Sequence, residues 1–324
     1  MDRQGPLATV RRAVDEFARN YCAADERWCV ALSGGADSLA LAAAAACVRP
    51  TVALIVDHGL QPDSDAVANT ARDQALGLGC VEAQILRVDV GTRGGPEAAA
   101  RTARYAALDV ARGGLPVLVA HTLDDQAETV LLGLGRGSGA RSIAGMRPHD
   151  PPWGRPLLGV RRTATLGACE ELGLEPWHDP HNADPRFTRV RLRAEVLPLL
   201  EEVLGGGVAE ALARTAIGLR EDTETLDAMA ALALAEVRAG TGLGSRLNAV
   251  RLADVPPGVR RRVIRRWLLD GGASTLTDGQ IRGVDLLVVD RRRRGGVAVG
   301  SPLRNQRLFA DRAGDALVLR TENV

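Results

Sequence analysis

The chain contains no lysine; all 41 of its basic side chains are arginine. That excludes a phosphate loop of the G-x-x-x-x-G-K-[ST] kind, whose lysine reaches the phosphates. Aromatic residues make up only 3% of the chain, too few for an extended platform on which unpaired bases stack. The five cysteines, Cys22, Cys29, Cys47, Cys80 and Cys169, are scattered without a C-x-x-C pair. Neither a disulfide framework nor a zinc or iron–sulfur site is indicated. No apolar run approaches membrane-spanning length, and the first residues, MDRQGPLATVRRAVDEF, are charged and amphipathic where a secretory signal has an unbroken apolar region. A soluble, cytoplasmic protein is expected.

Apolar residues are plentiful: 46% of 324 residues is ample for a core, and the length suggests two or three modules. The net charge of +1 conceals an asymmetry, because residues 1–185 carry 18 arginines against 23 acidic residues while residues 186–324 carry 23 against 17. An acidic front half joined to a basic back half suggests a catalytic region followed by one that meets a polyanion.

Short apolar runs alternate with helical patterns through the first half. Strands are expected at 28–32, 51–56, 80–90 and 115–120, with a fifth at 156–160. Helices are expected at 37–47, 65–78, 96–112, 124–134 and 163–172. Strands apolar on both faces and separated by helices imply an α/β fold with a parallel sheet, whose ligands bind at the carboxyl edge. After residue 185 the pattern becomes helical over 186–204 and 208–239. Residues 240–257, rich in Gly and Pro, suggest an irregular connection. Two helices and two strands, 296–299 and 316–319, are expected beyond it. The implied division is 1–185 as the catalytic domain, 186–250 as a helical region and 251–324 as a small α+β module.

At the first strand-to-helix junction stands VALSGGADSLAL, with Ser33, Gly34, Gly35, Ala36, Asp37 and Ser38 in the turn. Glycines allow a close backbone approach, and the start of the next helix adds N–H groups and partial positive charge, so a phosphate could be cradled there. Asp37 is the unusual member, since a carboxylate beside phosphates is repulsive unless a divalent cation lies between them. Mg²⁺-bound ATP meets that requirement, with Asp37 as the metal ligand. A tight turn with Asp37 or Ser38 as a helix cap is the plainer alternative.

S-G-G-x-D-S after a first strand resembles the pyrophosphate-binding loop of the N-type ATP pyrophosphatases, the PP-loop superfamily. Within it, VDHGL at 56–60, AHTLDDQAETVLLGLGRGSGARSIAGM at 120–146, RPLL at 155–158 and WHDPHNADPRFTRVRLR at 177–193 closely resemble the tRNA(Ile)-lysidine synthetase family. Two positions depart from that pattern: His181 stands where Ser or Thr is common, and Val190 where Asn is common. The resemblance is strong over 27–198 and loose in the C-terminal module.

The resemblance implies a Rossmann-like PP-loop domain and an ATP-dependent ligation of free lysine to C2 of the wobble cytidine of tRNA(Ile) with a CAU anticodon. The cytidine is adenylated first, and the products are lysidine, AMP and pyrophosphate. Asp124 and Glu128, four apart on a helix, share a face on which an ammonium could be anchored, while Asp125 points about a quarter turn away. Helix-start acids favoured by the macrodipole are the plainer account. His121 belongs either to this site or to the sheet edge. Arg101 and Arg104 could neutralise phosphate or hold the lysine carboxylate, or pair on the surface. His58 lies where this fold commonly holds adenine, or only orders its loop. Arg189, Arg191, Arg193 and the cluster Arg260, Arg261, Arg262, Arg265 and Arg266 are expected to meet tRNA phosphates, and Arg291 to Arg294 to form an exposed turn. A homodimer is left open. An enzyme of the same superfamily adenylating a small molecule or another tRNA base, and a nucleotide-binding protein without catalysis, are the alternatives.

Overall fold

The computed structural model describes residues 5–323 apart from 24–25, 60–62, 92–94, 138, 291, 294 and 302–304, so Leu60, Ser138, Arg291 and Arg294 lie outside the described residues. Pro6 opens α1 (Pro6–Tyr21), a position where its missing N–H would have no helical partner anyway, and Val10, Val14 and Phe17 recur on the buried face. Then follow β1 (Trp28–Leu32), α2 (Ala36–Val48), β2 (Thr51–Asp57), α3 (Ser64–Gly77), β3 (Glu82–Arg87), α4 (Pro96–Ala111), β4 (Val117–Leu118) and α5 (Leu123–Arg136). A one-turn α6 (Ala140–Ile143) leads to the short β5 (His149–Asp150) and β6 (Trp153–Gly154), and then to α7 (Arg162–Glu171).

The strands form one sheet in the order β3-β2-β1-β4-β6-β5, parallel except for β5 against β6. The strands β1 and β2 are apolar on both faces because helices cover both. The helix α2 is buried from Ser38 to Ala45, and its alanines let α1 and α7 pack closely against it. This packing fixes the start of α2, where the glycine-rich turn sits.

Next come α8 (Thr188–Arg191), a π-helical turn (Leu192–Val196), α9 (Leu197–Val203) and α10 (Val208–Val237). The chain divides into two compact units, Met1–Ile217 and Gly218–Val324, with the division falling inside α10. The second unit continues with β7 (Arg238–Ala239), β8 (Arg246–Asn248), α11 (Ala249–Ala253), α12 (Pro257–Asp270), α13 (Asp278–Val289), β9 (Val297–Val299), β10 (Gln306–Ala313) and β11 (Ala316–Asn323). Its antiparallel sheet has the order β7-β8-β11-β10-β9. A core of its own includes Leu247, Leu252, Val263, Ile264 and the fully buried Trp267, whose Nε1 donates to Ser245 Oγ at 2.9 Å.

Four segments differ from expectation. The apolar run 156–160 is a series of turns, with Val160 N–H donating to the Leu157 carbonyl at 2.9 Å, because Pro156 and Gly159 interrupt it; the strand beside β4 is β6 instead. The expected helix 186–204 contains a π turn, since Pro198 has no N–H to donate to residue 194. Residues 240–257 contain β8 and α11, the latter capped by Asn248 Oδ1, which accepts from the N–H groups of Val250 and Arg251. The strand β10, QRLFADRA, was hidden by its charges, although Leu308 and Ala310 alternate inward while Arg307 and Phe309 do not.

Candidate active site

From β1 the chain proceeds to β2 and β3 on one side and later returns to β4 on the other. The carboxyl ends of β1 and β4 therefore flank the point where strand order reverses, where open α/β sheets leave a crevice for ligands. Residues 33–35 follow β1 there, and residues 121–122 follow β4.

In the first loop Gly34 has φ of +79°, a conformation that a side chain disfavours. Its carbonyl accepts from Trp177 N–H at 2.9 Å, which ties the loop to the segment after α7. Ser38 Oγ accepts from Ser33 N–H at 3.2 Å and donates to the Gly35 carbonyl at 2.9 Å, so this buried hydroxyl knits the turn together. Gly35 is the N-cap of α2, and the N–H groups of Ala36 and Asp37 in its first turn have no intrahelical acceptor. They are available to an anion.

Asp37 places a carboxylate in the same turn, and α7 meets both of its oxygens. Oδ1 accepts from the Thr165 hydroxyl, and Oδ2 from Arg162 Nε at 3.1 Å. Burial pushes the Asp37 carboxyl above its usual range, against the opposing pull of Arg162 and Thr165.

The acidic side chains of α5 converge on the same arginine. Thr122 and Asp125 cap the helix reciprocally: Asp125 Oδ2 accepts from Thr122 N–H at 2.8 Å, and Asp125 N–H donates to Thr122 Oγ1 at 3.4 Å. Asp125 Oδ1 accepts from Arg162 Nη2 at 2.8 Å. Burial raises the Asp125 carboxyl, but Arg162 and the Thr122 hydrogen bonds outweigh it and hold the group below its usual range. Asp124 turns to the start of α7, where its Oδ2 accepts from Arg162 N–H at 2.7 Å and its Oδ1 lies 3.4 Å from Arg161. Glu128 is fully buried; it accepts from Arg193 Nε at 2.8 Å and Arg189 Nη1 at 3.4 Å, with Arg162 Nη1 at 3.8 Å. Thus Asp125 and Glu128 share Arg162, and Asp124 faces elsewhere, which differs from the expected pairing of Asp124 with Glu128. Burial opposes the charge on Arg162, yet Asp125 and Asp37 more than compensate and hold the guanidinium protonated.

A second group is basic. Arg104 is largely buried, which weakens its hold on its proton, and its guanidinium lies 5.9 Å from the Tyr105 ring. Arg101 is exposed and sits 4.9 Å from the same ring. Burial is the main cause that lowers His121 to about 4; Asp125 opposes it and Arg155, Arg101 and Arg104 reinforce it. His58 is lowered too, by burial and then Arg104. Both imidazoles are therefore neutral near pH 7. Among the described residues no hydrogen-bond partner meets the buried Nδ1 of His58, the Nδ1 of His121 or the Nε of Arg155.

Among the described residues no group of three His, Cys, Asp or Glu side chains is arranged to hold a metal ion. Mg²⁺ seldom needs one, because one or two carboxylates plus substrate phosphates commonly suffice. Asp37 beside an anion-binding helix start fits that donor set.

The structure brings Asp37, Asp124, Asp125 and Glu128 around the N-terminus of α7, and sets His58 and His121 each within electrostatic reach of Arg104. Three partners escaped sequence reasoning: Arg162, Thr165 and the side chain of Arg155. The available signal was the Arg161–Arg162 doublet at the start of a helix, where the macrodipole disfavours cations and only nearby carboxylates make them stable. Arg189 and Arg193, expected on tRNA, neutralise Glu128 here, and Arg191 pairs with Glu195 at 2.8 Å. In the second unit Arg260 is buried against Asp285, Arg262 meets Asp227 at 3.0 Å and Arg266 meets Asp270 at 3.0 Å. The expected basic face is therefore partly internal.

Residues 6–200 match the PP-loop domain family, and residues 247–312 match the TilS substrate binding domain. The chain is 67% identical over 323 residues to the tRNA(Ile)-lysidine synthase of Mycobacterium leprae (strain TN), covering 98% of each chain. It is 66% identical over 324 residues to that of Mycobacterium tuberculosis (strain ATCC 25618 / H37Rv), covering all of both. Among solved structures, the U34-tRNA thiolase NcsA from Methanococcus maripaludis with its [4Fe-4S] cluster superposes with a TM-score of 0.55 at 19% identity, over 67% of this chain and 80% of that one. This last likeness concerns the fold alone.

Proposed function

Since the chain belongs to the tRNA(Ile)-lysidine synthase family, we propose that its crevice activates the wobble cytidine of tRNA(Ile) with ATP and then joins lysine to it. The protein is an ATP-dependent ligase. The C2 oxygen of the cytidine attacks the α-phosphorus of ATP and pyrophosphate leaves; the lysine amine then attacks C2 and AMP leaves with that oxygen. Adenylation is needed because the unmodified oxygen is a poor leaving group.

The observation that carries the assignment of roles is the placement of a helix-start phosphate cradle and the α5 carboxylates around one arginine. Ser33, Gly34, Gly35, Ala36 and Ser38 form the cradle, with loop N–H groups facing the pyrophosphate. Asp37 would hold Mg²⁺, which when bound neutralises charge on the leaving pyrophosphate. The neutral imidazoles of His58 and His121 offer hydrogen bonds without adding charge, which suits a nucleobase, and the unmatched atoms beside them support that role. Arg101 and Arg104 are assigned to anionic groups, either phosphate or the lysine carboxylate. Asp124, Asp125 and Glu128 are assigned to the lysine ammonium. Each has an arginine partner other than the Arg162 side chain, Arg161 for Asp124 and Arg193 for Asp125 and Glu128, so lysine enters by exchange with these rather than into an open anionic hole.

Residues 1–185 would then supply the chemistry, 186–250 and 251–324 the contacts with tRNA, and the reaction would run in the cytoplasm. Among the described residues no helix is long and apolar enough to cross a membrane. The direct test supplies purified protein with ATP, Mg²⁺, isotopically labelled lysine and an isoleucine tRNA bearing CAU. Label should enter the tRNA with one AMP formed per lysine joined; ATP turnover without labelled tRNA would overturn the reading.

A further inference from the structure

Asp37 must meet a cation at the phosphate loop if the proposed function holds, yet in the structure it already has one. Arg162 sits at the first position of α7, with its side chain only 20% exposed. Its three nitrogens point to three carboxylates on two helices: Nε to Asp37 at 3.1 Å, Nη2 to Asp125 at 2.8 Å and Nη1 to Glu128 at 3.8 Å. Its own N–H donates to Asp124 at 2.7 Å, so its backbone is anchored independently of its side chain. The second partner of Asp37, Thr165, is fully buried one turn further along α7, and its Oγ1 also lies 2.8 Å from the Arg162 carbonyl. Either contact with Asp37 therefore has a substitute at hand. The guanidinium keeps Asp125 and Glu128 if Asp37 leaves, and the hydroxyl can turn to the carbonyl.

We infer that Arg162 is a positioning residue that acts as the resident counter-cation of the phosphate loop, holding Asp37 until a divalent metal replaces it and then remaining with Asp125 and Glu128. Two facts separate this from a purely architectural ion pair. A cation at the start of a helix opposes the macrodipole, so this is an adverse place for an arginine whose only task is to hold the helix. Its forked donors also join the phosphate loop directly to the acidic helix, which no other side chain in the cluster does among the described residues. Replacement of the arginine by the metal at Asp37 keeps the cluster neutralised and frees nothing that lacks another partner.

The inference rests on Asp37 as the metal contact, and its test needs neither tRNA nor lysine. The probe is Mn²⁺ with the non-hydrolysable analogue α,β-methylene-ATP, which supplies the phosphate donors, titrated into the full chain and followed by the water-proton relaxation that the bound ion enhances. Arg162→Gln removes the competitor and leaves one uncompensated negative charge, so Mn²⁺ should bind about tenfold more tightly than to the unaltered chain. Pyrophosphate release should nevertheless fall, with kcat reduced more than KM for ATP, because Asp125 and Glu128 lose their anchor. Adding Asp37→Asn to Arg162→Gln should abolish the gain in Mn²⁺ affinity. Arg162→Lys, which keeps the charge but not the fork, should bind Mn²⁺ with intermediate affinity, and it provides the comparison if the glutamine variant does not fold. A structural pair alone would give equal or weaker Mn²⁺ binding in both variants. That result, or a gain that survives Asp37→Asn, or no Mn²⁺ binding by any of the proteins, would overturn the inference. Failure of lysine transfer by the unaltered chain would instead count against the proposed function and leave the Mn²⁺ comparison standing.

Discussion

At Asp37 a carboxylate occupies the first turn of a buried helix whose N–H groups are placed for an anion. Asn is nearly the same size and can still accept from Thr165, so Asp37→Asn should keep the fold. It lacks the charge for a metal, and pyrophosphate release should fall about a hundredfold or more, the scale of losing one preorganised electrostatic contact. Near-unaltered release with an intact circular dichroism spectrum would remove Asp37 from the chemistry. His121 gives a pH-dependent expectation. Its folded-state value, lowered to about 4 chiefly by burial, lies below that of an unfolded histidine. The unfolded chain thus takes up a proton first as pH falls, and stability present above about 6.5 is lost progressively toward 4. Urea unfolding at pH 7 and pH 4.5 should show a smaller loss for His121→Asn than for the unaltered chain; equal losses would contradict the buried neutral imidazole. Both residues were legible in the sequence because each follows an apolar strand. Arg162 was not, because the carboxylates it meets lie 34 to 125 positions away in sequence and no local periodicity announces them.

Among the elements, β1 and α2 were readable because an apolar strand is followed, after a short glycine-rich turn, by a helix rich in Ala and Leu, the pattern of a buried βα unit. The short β6 was not: it pairs with β4 over two residues and is held by the sheet beside it rather than by its own propensity, whereas β4 falls inside the strand expected at 115–120. In the second unit the helix α12 looked like a basic face, but Arg260 is 6% exposed and joins α12 to α13 through Asp285, which is 8% exposed. Two further donations from Arg260 reach the carbonyls of Ala253 and Val255 at 3.1 and 3.0 Å. Sequence alone counts such an arginine as surface charge, because only the tertiary partner reveals the burial. Arg260→Leu should cost about 3–5 kcal/mol in chemical unfolding, since it strands a buried carboxylate. The double change Arg260→Leu with Asp285→Leu should recover most of that loss. If the single variant is as stable as the unaltered chain, the pair is not the clasp between these helices.

At the scale of the whole molecule, a unit that contains the PP-loop match and a second unit with its own core are joined in one chain. The family patterns matching residues 6–200 and 247–312 divide along similar lines. The charge asymmetry between front and back was visible in composition, whereas the fate of individual arginines was not, because half-buried pairs absorb several of them. The proposed reaction directs ATP at a tRNA base and not at the amino acid. Lysine contributes only after the base has been activated. The order of these events is read most directly by rapid-mixing measurement of pyrophosphate release, with ATP and Mg²⁺ present and tRNA and lysine supplied one at a time. The expected result is a burst with the CAU isoleucine tRNA in the absence of lysine, and none with lysine alone. A burst with lysine alone, undiminished when tRNA is withheld, would mean that the amino acid is what becomes adenylated, and would contradict the account.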